Sequence, residues 1–134
     1  MNNPYQQASD TYKSIDLQSR IEAATPHELI NLLFQGARTN ISTAIGCMQR
    51  NQIKEKGEHI SKAISIIDGL KGSLNMNQGG EVAANLLSLY DQIQNLLVKA
   101  NYHNSEELLT QSNQILSEIH EAWMAIKPSS ETNK

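Results

Sequence analysis

The sequence of 134 residues is poor in several residue types that define common classes of protein. It contains one cysteine, three prolines and one phenylalanine. A single cysteine excludes an internal disulfide and fits a reducing compartment. The alternation of β-branched and aromatic residues that is typical of strands is missing, so the sequence predicts an all-α protein.

A basic excess and a long apolar run are also missing. The chain has 11 Lys and Arg against 14 Asp and Glu, a net charge of −3. Because nucleic-acid binding needs a basic surface that neutralises phosphates, we expect no nucleic-acid partner. No apolar run approaches the roughly 20 residues of a membrane span, and the first ten residues lack the apolar core of a secretory signal. We therefore expect a cytoplasmic protein without membrane insertion.

Apolar residues recur at helical spacing in four segments joined by short connections. This pattern predicts an antiparallel up-down four-helix bundle. We place the bundle at residues 25–127, with helices at about 26–50, 53–74, 81–101 and 105–126. Residues 1–24 are expected to form a loosely attached N-terminal arm, partly helical or flexible, and residues 128–134 a disordered tail.

Three local motifs mark where the predicted helices begin. Thr25 and Glu28 form a capping box around Pro26, which suits the first position of a helix. Asn104, with Glu107 three residues later, is a second capping-box candidate. The Gly79-Gly80 pair lacks the flanking pattern of a phosphate-binding loop, so we interpret it as a break before the third helix.

Two of the predicted helices carry more apolar residues than one buried face can hold. The apolar arc spans roughly 140° in the fourth helix and 160° in the second, but roughly 200° in the first and third. The surplus predicts a groove or an interface for a partner; cover by the N-terminal arm is the alternative. Glycines inside the predicted helices indicate either close helix contacts or a bundle that adjusts locally: these are Gly36, Gly46, Gly57, Gly69 and Gly72.

Candidates for catalysis are few. No Glu precedes a His by three residues and no two His are four apart, so we expect no metal, no cofactor and no catalytic residue. Cys47 is interpreted as a small core residue. The spacing of His59, Lys62 and Ala63 matches histidine phosphotransfer domains, which are also four-helix bundles. This remains an alternative, although Ala63 lies on the predicted core stripe.

Several short motifs follow one another along nearly the whole chain. They are Thr25-Pro26-x-Glu28-Leu29-Ile30-x-x-Leu33-Phe34-x-Gly36-Ala37, Lys62-Ala63-x-x-Ile66-Ile67-x-x-Leu70, Gly79-Gly80-Glu81-Val82-Ala83-x-Asn85-Leu86-x-x-Leu89-Tyr90, Leu97-x-x-Ala100-Asn101 and Ala122-Trp123. In this order and spacing the chain resembles the flagellin-specific export chaperones of bacteria. It departs from them at Gln35, where the family often has Asp, and after Tyr90, where the family often has Tyr-x-Tyr.

The resemblance implies a cytoplasmic chaperone, not an enzyme, with the four-helix bundle already predicted. Its implied partner is the C-terminal region of flagellin, which it keeps from premature polymerisation and delivers to components of the flagellar export gate. The implied client-binding groove consists of Asn85, Leu86, Leu89, Tyr90, Ile93 and Asn101, and the arm that covers it carries Tyr5, Tyr12 and Ile15. A phosphotransfer domain using His59 and a structural helical oligomer remain the alternatives, and the sequence leaves homodimerisation open.

Overall fold

A computed structural model of the chain describes residues 17–126, with the side chains at positions 76 and 78 left aside. Residues 17–23 form a short helix, α1. Four longer helices follow: α2 (Pro26–Gln49), α3 (Ile53–Gly72), α4 (Met76–His103) and α5 (Glu106–Met124). No strand occurs in the described range, and the all-α prediction is confirmed. The described residues fall into two compact units, residues 17–29 and 30–126.

The start of α2 follows directly from its sequence. The side-chain oxygen of Thr25 accepts a hydrogen bond from the backbone N–H of Glu28 at 3.2 Å, as predicted. This bond satisfies one of the N–H groups that the first turn of a helix leaves without a partner. The predicted ends of the four long helices agree with the observed ends to within two residues, except at the start of α4.

Two asparagines end α2 and α4 in the same way. Asn51 and Asn104 have φ angles of 61° and 51°, in the left-handed region that Asn tolerates better than most residues. The next N–H in each case donates back to a carbonyl of the preceding turn: Gln52 to Cys47 at 2.8 Å, and Ser105 to Ala100 at 3.0 Å. These are the bonds of a Schellman motif, which satisfies terminal carbonyl groups.

The predicted cap at Asn104 is therefore wrong by one residue. The side chain of Ser105 accepts the N–H of Leu108 at 3.1 Å and caps α5. Asn104 instead closes α4, and its left-handed backbone is incompatible with the extended backbone of an N-cap. The spacing of Asn and Glu suggested a capping box because sequence alone does not show which of two adjacent polar residues ends the earlier helix.

Helix α4 begins earlier than predicted and is interrupted at Gly80. The residues from Met76 form one helical turn, closed by a bond from the Gly79 N–H to the Asn75 carbonyl at 2.6 Å. Gly80 then takes φ 54° and ψ −127°, outside any helical region. The predicted break is thus present at Gly80, but helical structure lies on both sides of it.

The core of residues 30–126 is formed by one stripe from each long helix. In α3 the stripe is Ile60, Ala63, Ile67 and Leu70, at spacings of three and four. Burial of each large aliphatic side chain contributes about 1.5–3 kcal/mol. Cys47 is buried, as predicted for a small core residue.

Polar contacts between α3 and α4 show that these two helices run antiparallel. Near the start of α3, the Nζ atom of Lys56 lies 3.0 Å from the Asn101 carbonyl oxygen near the end of α4. Near the end of α3, Lys71 forms an ion pair with Asp91 of α4 at 2.6 Å. The register of α3 and α4 is therefore fixed at both ends, and α4 also packs against α5.

Candidate binding groove

An apolar groove lies where four parts of the bundle meet, namely the first turns of α2 in residues 30–34, the end of α3, the start of α4 and the end of α5. Its volume is about 390 Å³. We call it the apolar groove. Its lining residues are Ile30, Phe34, Ser73, Leu74, Asn75, Gly79, Val82, Ala83, Leu86, Tyr90, Ile119, Ala122, Trp123 and Ile126.

The lining of the groove defines what it can bind. No charged side chain is among the lining residues, and three of them, Phe34, Tyr90 and Trp123, are aromatic. Burial raises the pKa of the Tyr90 phenol to about 12, so the phenol is neutral at physiological pH. A charged group would lose its hydration here without a compensating partner. The groove therefore suits aliphatic or aromatic side chains.

The rim of the groove leaves apolar surface in contact with water. Val82 at the start of α4 is 68% exposed, and Ile126 just beyond α5 is 53% exposed. Contiguous exposed apolar surface beside a concave apolar site is typical of protein-binding sites. The surplus of apolar residues predicted for the third helix is thus observed at the groove.

A polar network supports the wall formed by α2 and α5. The ring of His120 stacks on Phe34, with centroids 4.9 Å apart and planes inclined by 13°. Its Nδ1 atom lies 2.9 Å from Nη1 of Arg38, and its Nε2 atom lies 2.7 Å from Oδ1 of Asn31. Burial lowers the pKa of His120, and the Arg38 charge lowers it further, whereas Glu121 opposes the shift. The neutral ring ties α5 to α2 next to Phe34.

The predicted groove residues divide into three groups in the structure. Leu86 and Tyr90 line the apolar groove. Asn85 and Leu89 are exposed on α4 but do not line it, while Ile93 is completely buried in the core. Asn101 lies near the far end of α4, where its carbonyl oxygen accepts the bond from Lys56. Contact of these residues with a client stays a prediction, and Tyr5, Tyr12 and Ile15 lie outside the described residues.

Much of the groove was missed by sequence reasoning, above all its α5 wall. Ile119, Ala122, Trp123 and Ile126 follow one another at spacings of three, one and three, so they share one helix face. Trp123 packs against the core and also lines the groove. The signal was present in this spacing, which continues the apolar stripe of α5 to the C-terminal end of the helix.

The environment of His59 bears on phosphotransfer. Its Nδ1 atom lies 2.9 Å from Oδ1 of Asn40, and the side chain is half-buried. Ala63 is completely buried, which confirms its place on the core stripe. It therefore offers no small exposed surface that a receiver domain could approach.

Residues 17–126 contain neither a candidate metal-binding cluster nor a helix able to span a membrane. Histidine, cysteine, aspartate and glutamate side chains form no group of three or more that could hold a metal ion in this range. Within the same residues, no helix combines the length and the apolarity that crossing a membrane requires.

Comparison with known proteins identifies the family of the chain. The sequence model of the family described as flagellar protein FliS matches residues 7–130. The flagellar secretion chaperone FliS of Salmonella typhimurium is 40% identical over 118 residues, which cover 87% of each chain. The flagellar secretion chaperone FliSB of Pseudomonas aeruginosa is 40% identical over 119 residues, covering 89% of this chain and 94% of the relative. The Bacillus subtilis FliS chaperone is 30% identical over 106 residues, covering 79% of this chain and 78% of its own. The chain therefore belongs to the flagellar protein FliS family.

Proposed function

We propose that the chain is a cytoplasmic export chaperone that binds the C-terminal region of flagellin. The observation that carries the proposal is the apolar groove with its exposed rim at Val82. It occurs in a chain whose relatives are named flagellar secretion chaperones. The protein acts by binding rather than by catalysis.

The chemistry of the groove explains how such binding would act. An unassembled flagellin segment that is disordered in the free state orders when its apolar side chains enter a groove. Side chains held there are unavailable for contacts with other flagellin subunits, so polymerisation is delayed. The bound subunit is then passed to components of the flagellar export apparatus.

The N-terminal arm is part of the proposal. Tyr5, Tyr12 and Ile15 supply apolar side chains to an otherwise polar segment, so we propose that the arm covers groove surface until the client arrives. Asn85, Leu89 and Asn101 would extend the client contact along α4 beyond Leu86 and Tyr90, which line the groove. Ile93 would support this contact from the core.

Calorimetry of the purified chain against a C-terminal flagellin fragment tests the proposal. We expect a one-to-one complex and a negative heat-capacity change, because binding removes apolar surface from water. Absence of binding at tens of micromolar would contradict the proposal. A dissociation constant in that range corresponds to a binding free energy of roughly −6 kcal/mol, which is already weak. Light scattering of the free chain is the companion measurement, since a structural helical oligomer would instead show stable self-association without a client.

A further inference from the structure

A second cleft, polar where the first is apolar, lies between the middle of α2 and the facing part of α5. Its volume is about 430 Å³, and we call it the polar cleft. The side chains that define it are Arg38, His120, Asn113, Thr39, Ser42 and Thr43. The polar cleft adjoins the apolar groove, because its His120 ring stacks on Phe34, which lines the groove. A polypeptide segment bound in the groove therefore has the polar cleft within reach.

Arg38 is the cation of the polar cleft and has no anionic partner. The side chain is half-buried, and it forms no ion pair with the residues that the structure describes. No Asp or Glu lines the cleft: Glu118 and Glu121 of α5 are exposed beside it, and Glu118 accepts a bond from Gln114. Nη1 of Arg38 contacts Nδ1 of His120 at 2.9 Å. Since a guanidinium carries five N–H donors, several remain for an acceptor that enters the cleft.

Asn113 shows that the polar capacity of the cleft is not met within the described part of the chain. Its Nδ2 atom donates to Oγ of Ser42 at 3.2 Å, whereas its Oδ1 atom is buried and has no hydrogen-bond partner there. Buried acceptors are nearly always paired, because an unpaired one loses its hydration without compensation. A polypeptide segment that brings an N–H group next to a carboxylate would offer both of the missing partners.

The charge of the polar cleft favours a carboxylate over a phosphate. One guanidinium group binds one carboxylate through two parallel N–H···O bonds. A phosphate group carries more negative charge at neutral pH, and the lining of the cleft holds no second Lys or Arg to neutralise it. The hydroxyl groups of Thr39, Ser42 and Thr43 can each donate or accept a hydrogen bond, so they suit the peptide groups beside an acidic residue.

We propose that the polar cleft binds a carboxylate of the client, which pairs with Arg38 while apolar side chains of the same segment occupy the adjoining groove. The identity of the client rests on the proposed chaperone function. The carboxylate belongs either to an Asp or Glu side chain or to the C-terminus of flagellin, and both sources have the same chemistry. Because the cleft lies on the α2 and α5 side of the groove, this contact fixes the direction in which the client lies.

Arg38→Gln removes the charge and keeps a polar side chain. Arg50→Gln is the matched control, because Arg50 is exposed at the end of α2 and does not line the cleft. We expect calorimetry with the C-terminal flagellin fragment to show affinity about fivefold weaker for Arg38→Gln and unchanged for Arg50→Gln. Affinity should also fall less steeply with added salt in Arg38→Gln than in the wild type. Arg38→Lys, which keeps the charge, should recover part of the affinity.

Modified fragments identify the carboxylate and exclude an indirect effect of Arg38 through His120. One fragment has an amidated C-terminus, and the other has Asn and Gln in place of Asp and Glu. The fragment that lacks the relevant carboxylate should bind the wild type about fivefold more weakly and bind Arg38→Gln no more weakly than the unmodified fragment does. If both fragments remain as sensitive to Arg38→Gln as the unmodified one, the ion pair is overturned.

Titration with sodium acetate tests the polar cleft without the client. In NMR spectra of the chain, the side-chain Nε–H resonance of Arg38 should shift with saturation in the millimolar range, whereas that of Arg50 should not, with sodium chloride of equal ionic strength as the reference. A selective shift at Arg38 together with no binding of any fragment would support the carboxylate site and overturn the proposed function. Equal responses of the two arginines, or fragment binding that Arg38→Gln leaves unchanged, would overturn the site and leave the proposed function standing.

Discussion

Asn31 and His120 are joined by a hydrogen bond of 2.7 Å between Oδ1 and Nε2, which links α2 to α5. On the other side of the ring, Nδ1 lies 2.9 Å from Nη1 of Arg38. A guanidinium group can only donate, so Nδ1 accepts and the proton of the neutral ring resides on Nε2. The tautomer of His120 is thereby fixed by its two neighbours, and a second proton would have to displace the Arg38 contact.

This arrangement predicts a loss of stability in mild acid. The pKa of His120 is lowered in the folded chain, mainly by burial, whereas the unfolded chain has the ordinary value of 6.5. Below that value the unfolded state binds more protons, so the free energy of unfolding falls as the pH drops from about 7.5 through 6.5. The slope contributed by this group is at most about 1.4 kcal/mol per pH unit.

His120→Gln is the control for this pH dependence. The Gln amide keeps a donor for Asn31 but does not titrate in this range. Urea unfolding at several pH values should show a weaker dependence between pH 5 and 7 in the variant than in the wild type. Equal slopes in the two proteins would show that His120 does not titrate differently in the folded and unfolded states.

Lys56 provides a second prediction, because it is a lysine with only 2% of its surface exposed. Its Nζ atom donates to the Asn101 carbonyl and to Oδ1 of Asn104, both at the end of α4. A cation is favoured at this end by the helix dipole. Lys56→Met keeps the apolar stem but leaves both acceptors without this donor, so we expect the free energy of unfolding to fall by about 1–3 kcal/mol.

Lys54→Met is the matched variant for this measurement. Lys54 is exposed in the same turn of α3, so its replacement should change stability by no more than about 0.5 kcal/mol. Denaturant unfolding of both variants, followed by circular dichroism, gives the comparison. A Lys56→Met variant as stable as Lys54→Met would mean that the bonds to α4 contribute no net stability.

Features that depend on residues close together in the sequence were predicted, whereas features that depend on contacts between distant parts of the chain were not. The core position of Ala63 and the cap at Thr25 follow from spacings within one helix, and both were predicted. The burial of Lys56 was not predicted, because it depends on its contact with Asn101 at the end of α4, 45 residues later in the chain.

The difference between local and long-range interactions also explains why only part of the groove was predicted. The wide apolar arc of the third helix predicted a groove or an interface, and two of the six groove residues that the family resemblance implied, Leu86 and Tyr90, line the apolar groove. Its remaining walls come from the ends of other helices, which no periodicity within α4 can reveal. The helical turn before Gly80 was missed for a related reason, since a turn of four residues is too short to show a helical period.

Close packing of α2 against α3 gives a third prediction. A Cβ atom at Gly36 would lie 3.3 Å from Cδ1 of Ile66, so the branched side chain of Gly36→Val would overlap α3. We expect a loss of about 1–3 kcal/mol from overpacking. Gly57→Ala is the contrasting variant, because its Cβ atom would meet Oδ1 of Asn101 at an ordinary 3.8 Å.

Gly57→Ala should therefore raise stability, by up to about 1 kcal/mol, since alanine is the better helix former. Thermal unfolding of the two variants in parallel measures the difference. If Gly36→Val and Gly57→Ala shift the midpoint in the same direction, the contact with Ile66 does not explain why residue 36 is glycine.

Substitution of two exposed valines of α4 tests where the proposed client binds on the chain. Val82 is 68% exposed and lines the apolar groove, whereas Val98 is 56% exposed and lies outside it. Val82→Asp would bury a carboxylate without a partner when the groove is filled, so binding of the flagellin fragment should weaken at least about tenfold. Because both side chains face water in the free chain, neither change should lower stability by more than about 0.5 kcal/mol. Titration of the fragment into Val98→Asp should give the wild-type affinity. Equal weakening by the two substitutions would instead place the client along the whole of α4 rather than in the groove.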